Sequence, residues 1–139
     1  MRKKINITIG TELSSNGGIA SVLNVMDDGG FFDKWNVLLL PTHTQRKSFF
    51  GLVRFYIFAK ALLLLCYYHV FYDVGLVHIH TASRWSFLRK SYVVKLVKLL
   101  GGKVILHLHG GGFKQFYENE CDDKKRSKIK KIFNSTDKV

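Results

Sequence analysis

The chain alternates between two kinds of segment, and this alternation constrains its fold more than any other feature. Four short apolar runs have the pattern of buried strands, at residues 4–9, 36–41, 75–80 and 103–109. Segments of helical character lie between them, at residues 19–26, 48–72 and 87–100. Strands that alternate with helices form right-handed βαβ units around a parallel sheet. The sequence therefore predicts an α/β, Rossmann-like three-layer domain.

The expected strand order is flavodoxin-like, 2-1-3-4. After the fourth strand, Asp122 or Asp123 can cap a last helix. Lys138 and Val139 then have the character of the first residues of a further strand, which predicts a partial fifth strand. Residues 1–139 are expected to form one domain, and a sheet cut at its edge suggests a fragment or half of a split enzyme.

The predicted helix at residues 87–100 is amphipathic. Its apolar stripe consists of Leu88, Tyr92, Leu96 and Leu99.

The chain is strongly basic, with 22 Lys and Arg against 10 Asp and Glu and a formal net charge of +12. This excess suggests a polyanionic neighbour, which can be a nucleic acid, an anionic membrane or a phosphorylated ligand. Residues 124–131 carry much of the charge. Such a run can bind the phosphates of a lipid or a nucleic acid, but a solvated helix face is the favoured interpretation. No sequence-specific nucleic-acid motif is present. Cys66 and Cys121 lie in very different settings, which indicates a reducing, cytoplasmic protein without a disulfide framework.

The predicted helix at residues 48–72 is apolar and rich in aromatic residues, but Arg54 and Lys60 interrupt it. Charges inside a membrane span are costly, which argues against a spanning helix. Two interpretations remain open: a helix of the core, or a helix that lies in a membrane interface. In the second case the protein is peripheral on the inner face of the membrane, and an anionic membrane surface is a partner.

A glycine-containing loop at residues 14–18 joins the first strand to the first helix. Helix N-termini present unpaired N–H groups, and Gly17 and Gly18 let a phosphate approach the backbone closely. The loop matches neither the dinucleotide-binding fingerprint nor a Walker loop. A donor phosphate site and an ordinary glycine turn both remain open.

Two strands end in His-x-His. Because side chains alternate along a strand, His78 and His80 lie on the same face of their strand, and His107 and His109 lie on the same face of theirs. Both pairs lie at the carboxyl ends of their strands, where open parallel sheets bind ligands. We expect His78 and His107 to be satisfied core histidines, and His80 and His109 to lie at the rim. A rim imidazole can bond a sugar hydroxyl or move a proton.

A four-histidine metal site is disfavoured, because no Asp, Glu or Cys accompanies the histidines in these strands. We therefore expect no metal and no cofactor. Gly110, Gly111 and Gly112 follow His109 directly and predict an open cleft loop that offers backbone N–H groups to a ligand.

Four segments together resemble a known family, in order and spacing: residues 16–20, 73–80, 103–110 and 135–139. They are similar to the N-terminal domain of GT-B-fold glycosyltransferases of the family-four type, which include bacterial enzymes of capsule, lipopolysaccharide and exopolysaccharide assembly. The resemblance covers essentially the whole chain.

The resemblance implies half of a GT-B fold, in which this N-terminal domain binds a glycan or lipid-linked acceptor. A C-terminal domain binds the nucleotide-sugar, and the sugar is transferred with retention and without a metal. By position, Gly17 and Gly18 would face the donor diphosphate, and His109 would be the catalytic contact to the donor sugar. The implied acceptor contacts are Thr11, Glu12, His80 and Arg84.

The family's C-terminal domain does not follow within the 139 residues. The isolated chain is therefore expected to have little or no transferase activity, because phosphate stabilisation of the leaving group would be missing. A second hypothesis is a non-catalytic or partner-dependent subunit that binds acceptor and membrane beside a separate donor-binding chain. A flavodoxin-like module for another phosphorylated ligand and a sequence-blind nucleic-acid binder are further alternatives.

Overall fold

The computed structural model describes residues 2–44 and 51–139. Its centre is a sheet of four parallel strands in the order β2-β1-β3-β4, which confirms the predicted order. The strands are β1 (Lys4–Gly10), β2 (Val37–Pro41), β3 (Asp73–Thr81) and β4 (Val104–Leu108). The α/β, Rossmann-like fold is thus the fold of this domain.

Six helices connect and cover the strands in the described ranges. They are α1 (Gly18–Asp28), α2 (Phe31–Lys34), α3 (Leu52–Phe71), α4 (Trp85–Leu99), α5 (Gly112–Asn119) and α6 (Asp123–Ser135). The first part of the helix predicted at residues 48–72 falls on 48–50, outside the described residues. The sequence predicted neither α2 nor α5, since one or two helical turns are too short to show a period.

The two faces of the sheet are covered unequally. Alternate residues of the strands, such as Ile7 and Ile79, join one apolar core with residues of α3, α4, α5 and α6. On the opposite face the covering helix is α1, where Leu23 packs over Gly10. This second face carries the histidines, because Thr8 pairs with His78 and His80 pairs with His107.

Helix α4 buries a different stripe from the predicted one. Leu88, Tyr92 and Leu99 are exposed, whereas Leu96 is half-buried and packs against the core. The buried positions are Phe87, Lys90, Val93, Val94 and Val97. The prediction was wrong for three of its four residues because the helix carries two apolar stripes. The valine-rich stripe belongs to the same core cluster as the strands.

The C-terminal residues extend the sheet by one position beyond β4. Lys138 forms a parallel bridge with Ile105, and the Leu106 amide donates to the Lys138 carbonyl over 2.9 Å. The Asp137 carboxylate fixes this junction by accepting from the Val104 amide at 2.7 Å and from Lys98 Nζ at 3.0 Å. The predicted partial fifth strand is present as this single bridge.

The last helix begins as the sequence predicted. The Asp122 side chain accepts a hydrogen bond of 2.7 Å from the Lys125 amide and caps α6. Ile129 and Ile132 are its buried residues, and its lysines are exposed to solvent. The basic run is therefore a solvated helix face.

Candidate ligand-binding edge of the sheet

The carboxyl ends of the four parallel strands meet at one edge of the sheet, which we call the carboxyl edge. Strand β1 pairs with β3, and β3 pairs with β4. The loop that follows β1 and the histidine-ended strands therefore reach the same edge with no strand between them. Open parallel sheets bind their ligands at such an edge.

The glycine pair lies where α1 starts at this edge. Gly17 has a φ of +115°, a conformation that side chains with a Cβ rarely adopt. A Cβ built on Gly17 or Gly18 would meet no atom of the described residues within 4 Å, so these residues leave the space in front of the helix open. Within the described part of the chain, no side chain caps this helix. Its first N–H groups can therefore bind an anion.

The second glycine segment also leads into a helix. Gly110 has a φ of +93°, and Gly111 immediately precedes α5, which begins at Gly112. The segment predicted as an open cleft loop is thus partly the start of α5. Among the described residues no side chain caps α5 either. Two helix N-termini without side-chain caps therefore lie at the ends of β1 and β4.

The four strand-end histidines form one cluster of rings, with centroids 4.2–5.4 Å apart in the contacting pairs. The rings of His78 and His107 stack with an interplanar angle of 10°. His80 Nδ1 and His109 Nε2 are hydrogen-bonded at 2.7 Å. This bond joins the ends of β3 and β4.

Burial keeps part of this cluster uncharged. Burial first, and then the neighbouring histidines, lower the pKa of His78 to about 4 and that of His80 to about 2. Burial and the neighbouring His107 also lower the pKa of His109. These three imidazoles are neutral at pH 7 and can act as hydrogen-bond acceptors or metal ligands.

The burial of the histidines differs from the sequence prediction. His80, expected at the rim, is fully buried, whereas His107, expected in the core, is exposed. His78 and His109 are half-buried. The prediction failed because it ranked the histidines by depth along the strand. Burial depends instead on the unequal covering of the sheet, which leaves the β4 side of this face open.

Thr11 and Glu12 follow β1 and are held against the loop after β2. The Thr11 hydroxyl lies 3.1 Å from Ser15 Oγ and 3.2 Å from the His43 carbonyl oxygen. Thr44 Oγ1 donates to Glu12 Oε2 over 2.7 Å. Both predicted acceptor residues therefore lie at the carboxyl edge, at its β1 and β2 end.

Sequence reasoning missed Lys90, a buried cation at the same end of the edge. Its Nζ bonds Thr42 Oγ1 and lies 3.5 Å from the Gly10 carbonyl oxygen. Burial, with a smaller contribution from Arg89, lowers the pKa of Lys90 to about 7. The available signal was a lysine in phase with the valines of α4. This signal is visible only when the valine stripe of α4, and not the predicted stripe, is taken as the buried one.

Other basic groups act on the same region. Burial lowers the pKa of His43, and Arg89, Arg54 and Lys90 lower it further. Glu12 opposes them. This end of the edge is therefore electropositive.

Arg84 lies at the start of α4 and forms a two-pronged ion pair with Glu120. Its Nε donates to Glu120 Oε2 over 2.8 Å, and its Nη2 bonds Oε1. The backbone of Arg84 has a φ of +55°. The pair is solvent-exposed and connects the β3–α4 turn to the end of α5, so the predicted acceptor contact of Arg84 would compete with Glu120.

A depression of about 530 Å³ lies at the opposite edge, lined by residues such as His69, Asp73 and Gly101. These residues surround the start of β3 and the segment before β4. The chemically distinctive side chains lie instead at the carboxyl edge.

A scan against protein-family models found no match, and searches for similar curated proteins and for similar solved structures found none either.

Proposed function

We propose that this chain is the acceptor-binding N-terminal half of a retaining, GT-B-type glycosyltransferase that uses a nucleotide-sugar donor in bacterial surface polysaccharide assembly. One observation carries the proposal. The histidine-ended strands β3 and β4 and the glycine-led N-terminus of α1 share one edge of a 2-1-3-4 parallel sheet.

The donor diphosphate is placed at the helix N-termini of this edge. Helices α1 and α5 both begin after glycines, where a Cβ would meet open space. Unpaired N–H groups and the partial positive charge of a helix N-terminus favour a phosphate. Gly17 and Gly18 serve this role at α1.

His109 is the residue proposed to contact the donor sugar. Its Nε2 is bonded to His80 Nδ1, so the other ring nitrogen can bond a sugar hydroxyl. His80 is fully buried and positions His109 in this proposal. This role replaces direct contact between His80 and the acceptor.

The acceptor is placed at the electropositive end of the edge. Thr11 and Glu12 supply polar contacts, and Lys90, Arg89 and Arg54 favour an acceptor that carries phosphate, such as a lipid-linked glycan. Transfer also requires groups that stabilise the departing nucleotide phosphate. In this proposal a donor-binding domain supplies them, either in the same polypeptide or as a partner chain.

Helix α3 supports a membrane-bound acceptor and the second candidate function, a membrane-binding subunit that depends on a partner. In the described ranges it is the one helix long and apolar enough to span a membrane, with a mean hydropathy of 1.4. Core helices of soluble proteins pass the same criterion, but only 11% of the apolar window of α3 is buried. Phe55 and Leu63 are both 71% exposed, and Arg54 and Lys60 lie on the same helix. At an anionic membrane interface the exposed apolar side chains can contact the acyl chains, while the basic side chains contact the headgroups.

Ligand titration of the ¹⁵N-labelled chain, followed by NMR, tests the donor site. UDP- and GDP-sugars are expected to shift the amides of Gly17, Gly18 and Gly110. Gly18→Ala narrows the approach to α1 and is expected to weaken binding, whereas Val25→Ala on the exposed side of α1 is the matched control. Amide shifts confined to other regions, or no shifts at millimolar nucleotide-sugar, would contradict the proposal.

Activity assays test the need for a donor-binding domain, which both candidate functions share, and vesicle assays test the membrane contact of the second. Transfer is expected only when a donor-binding domain is supplied. Turnover by the purified chain alone would contradict both candidate functions. The membrane contact is tested with the double variant Arg54→Gln and Lys60→Gln. Its free energy of binding to anionic vesicles, measured by sedimentation, is expected to be weaker by about 1 kcal/mol per charge removed. Lys124→Gln with Lys125→Gln on α6 is the charge-matched control.

A further inference from the structure

Three histidines on the open face of β3 and β4 are arranged as a set of ligands. His78 and His80 lie two residues apart on β3, and His107 pairs with His80 across the sheet. Strand periodicity and register therefore direct all three rings to one face. One ring nitrogen from each of the three lies within 4.8 Å of those of the other two.

An unpartnered buried atom in this set points to a ligand. His80 is fully buried, and among the described residues its Nε2 has no hydrogen-bond partner. Its other nitrogen, Nδ1, is bonded to His109 Nε2. When Nδ1–H is the donor in that bond, Nε2 of His80 carries a free lone pair. In most metal-binding histidines the ring is oriented by a hydrogen bond that is donated by the nitrogen that does not bind the metal.

We propose that His78, His80 and His107 bind a divalent transition metal ion, with Zn²⁺ as the favoured metal, and that His109 orients His80 from behind. Imidazole ligands suit Zn²⁺, Ni²⁺ and Cu²⁺, whereas Mg²⁺ and Ca²⁺ require oxygen ligands. Three imidazoles alone are a known zinc ligand set, so the lack of a neighbouring carboxylate or cysteine does not exclude a metal.

Binding requires only a small adjustment of the rings. A tetrahedral zinc ion with bonds of about 2.1 Å holds its ligands about 3.4 Å apart. The ring nitrogens therefore approach one another by roughly 1.4 Å at most from their present separation of up to 4.8 Å. His107 is exposed and can provide much of this movement by a change of rotamer.

The site is accessible from solvent and keeps one coordination position open. A groove of about 300 Å³ runs beside it, lined by residues that include His78, His107 and Lys138. Three protein ligands and an open fourth position are the arrangement of zinc sites that bind water or a further ligand. Thr8, which pairs with His78 across β1 and β3, has a buried hydroxyl with no partner in the described part of the chain.

This inference does not rest on sugar transfer, and its test measures metal binding alone. The untagged chain is titrated with Zn²⁺ by calorimetry and with Co²⁺ by visible ligand-field absorption. One equivalent of Zn²⁺ is expected to bind and to raise Tm. His78→Asn and His107→Asn are each expected to remove this binding. His109→Gln, which changes only the orienting residue, is expected to weaken it by about 10- to 100-fold.

The control for these variants is His69→Gln, which also removes one imidazole. His69 lies near the end of α3, where its Nδ1 is bonded to the Leu65 carbonyl, and it belongs to the opposite edge of the sheet. Zn²⁺ binding with unchanged affinity in His69→Gln and loss of binding in His107→Asn would support the site. His107 is exposed, so its replacement leaves the fold intact. Absence of saturable Zn²⁺ and Co²⁺ binding, or equal affinity in His107→Asn and wild type, would overturn the proposal.

Discussion

Replacement of Lys90 by methionine is expected to remove a rise in stability between pH 7 and pH 9. The pKa of Lys90 is about 7 in the folded chain, against 10.5 for an ordinary lysine. Within this window the unfolded chain holds a proton that the folded chain has released, so the free energy of unfolding rises with pH. One pH unit contributes about 1.4 kcal/mol when the difference is a whole proton. Because Lys90 is about half protonated at pH 7, the expected rise from pH 7 to pH 9 is about 2 kcal/mol.

Urea unfolding of the wild type and of Lys90→Met at both pH values measures this rise. Methionine has a similar length and does not titrate, so the stability of the wild type relative to the variant should increase by about 2 kcal/mol. Other titrating groups cancel in the comparison. Lys95→Met, an exposed lysine on the same helix, should show no such change. If the wild type and Lys90→Met have the same pH dependence, the reasoning about the buried ammonium is wrong.

Three further predictions concern the fold. Asp122→Ala removes the cap of α6 and is expected to lower the free energy of unfolding by about 1 kcal/mol, measured by urea denaturation. Gly17→Ala forces a Cβ into a φ of +115° and is expected to cost about 1–3 kcal/mol, whereas Gly18→Ala is expected to change stability by less than about 1 kcal/mol. Leu65→Ala, at a fully buried position of α3, is expected to cost about 2–5 kcal/mol. Leu63→Ala, at a position that is 71% exposed, should stay within about 0.5 kcal/mol in the same assay, and equal losses at both positions would contradict the described orientation of α3.

The sheet could be predicted from the sequence because each strand is a short apolar run between clear helical segments. Right-handed crossovers and the alternation of elements then restrict the strand order to very few arrangements. The cap at Asp122 followed from local chemistry alone. Which stripe of α4 is buried could not be predicted in this way, because both stripes are apolar and only tertiary packing distinguishes Val94 from Leu99.

The position of the candidate site at the carboxyl edge could be predicted from the sequence, but the burial of its individual side chains could not. Period two placed the histidines together, and the carboxyl ends of the strands placed them beside the glycine loop. The burial of His80 and the exposure of His107 depend on which part of the sheet the helices cover, and no local pattern records that. Lys90 reaches the edge from a helix far along the chain, so only the fold reveals its bonds to the ends of β1 and β2.

Because the two faces of the sheet are covered unequally, adjacent residues of one strand are under different constraints on which amino acids can replace them. Along β3, Val77 and Ile79 fill the helix-covered core, and any aliphatic side chain of similar volume can replace them. His78 and His80 point the other way, where the proposed ligand role depends on a nitrogen lone pair more than on volume. Between Val77 and His80, tolerance to amino-acid exchange should thus alternate from one residue to the next, with side-chain volume governing Val77 and Ile79 and ring chemistry governing the two histidines.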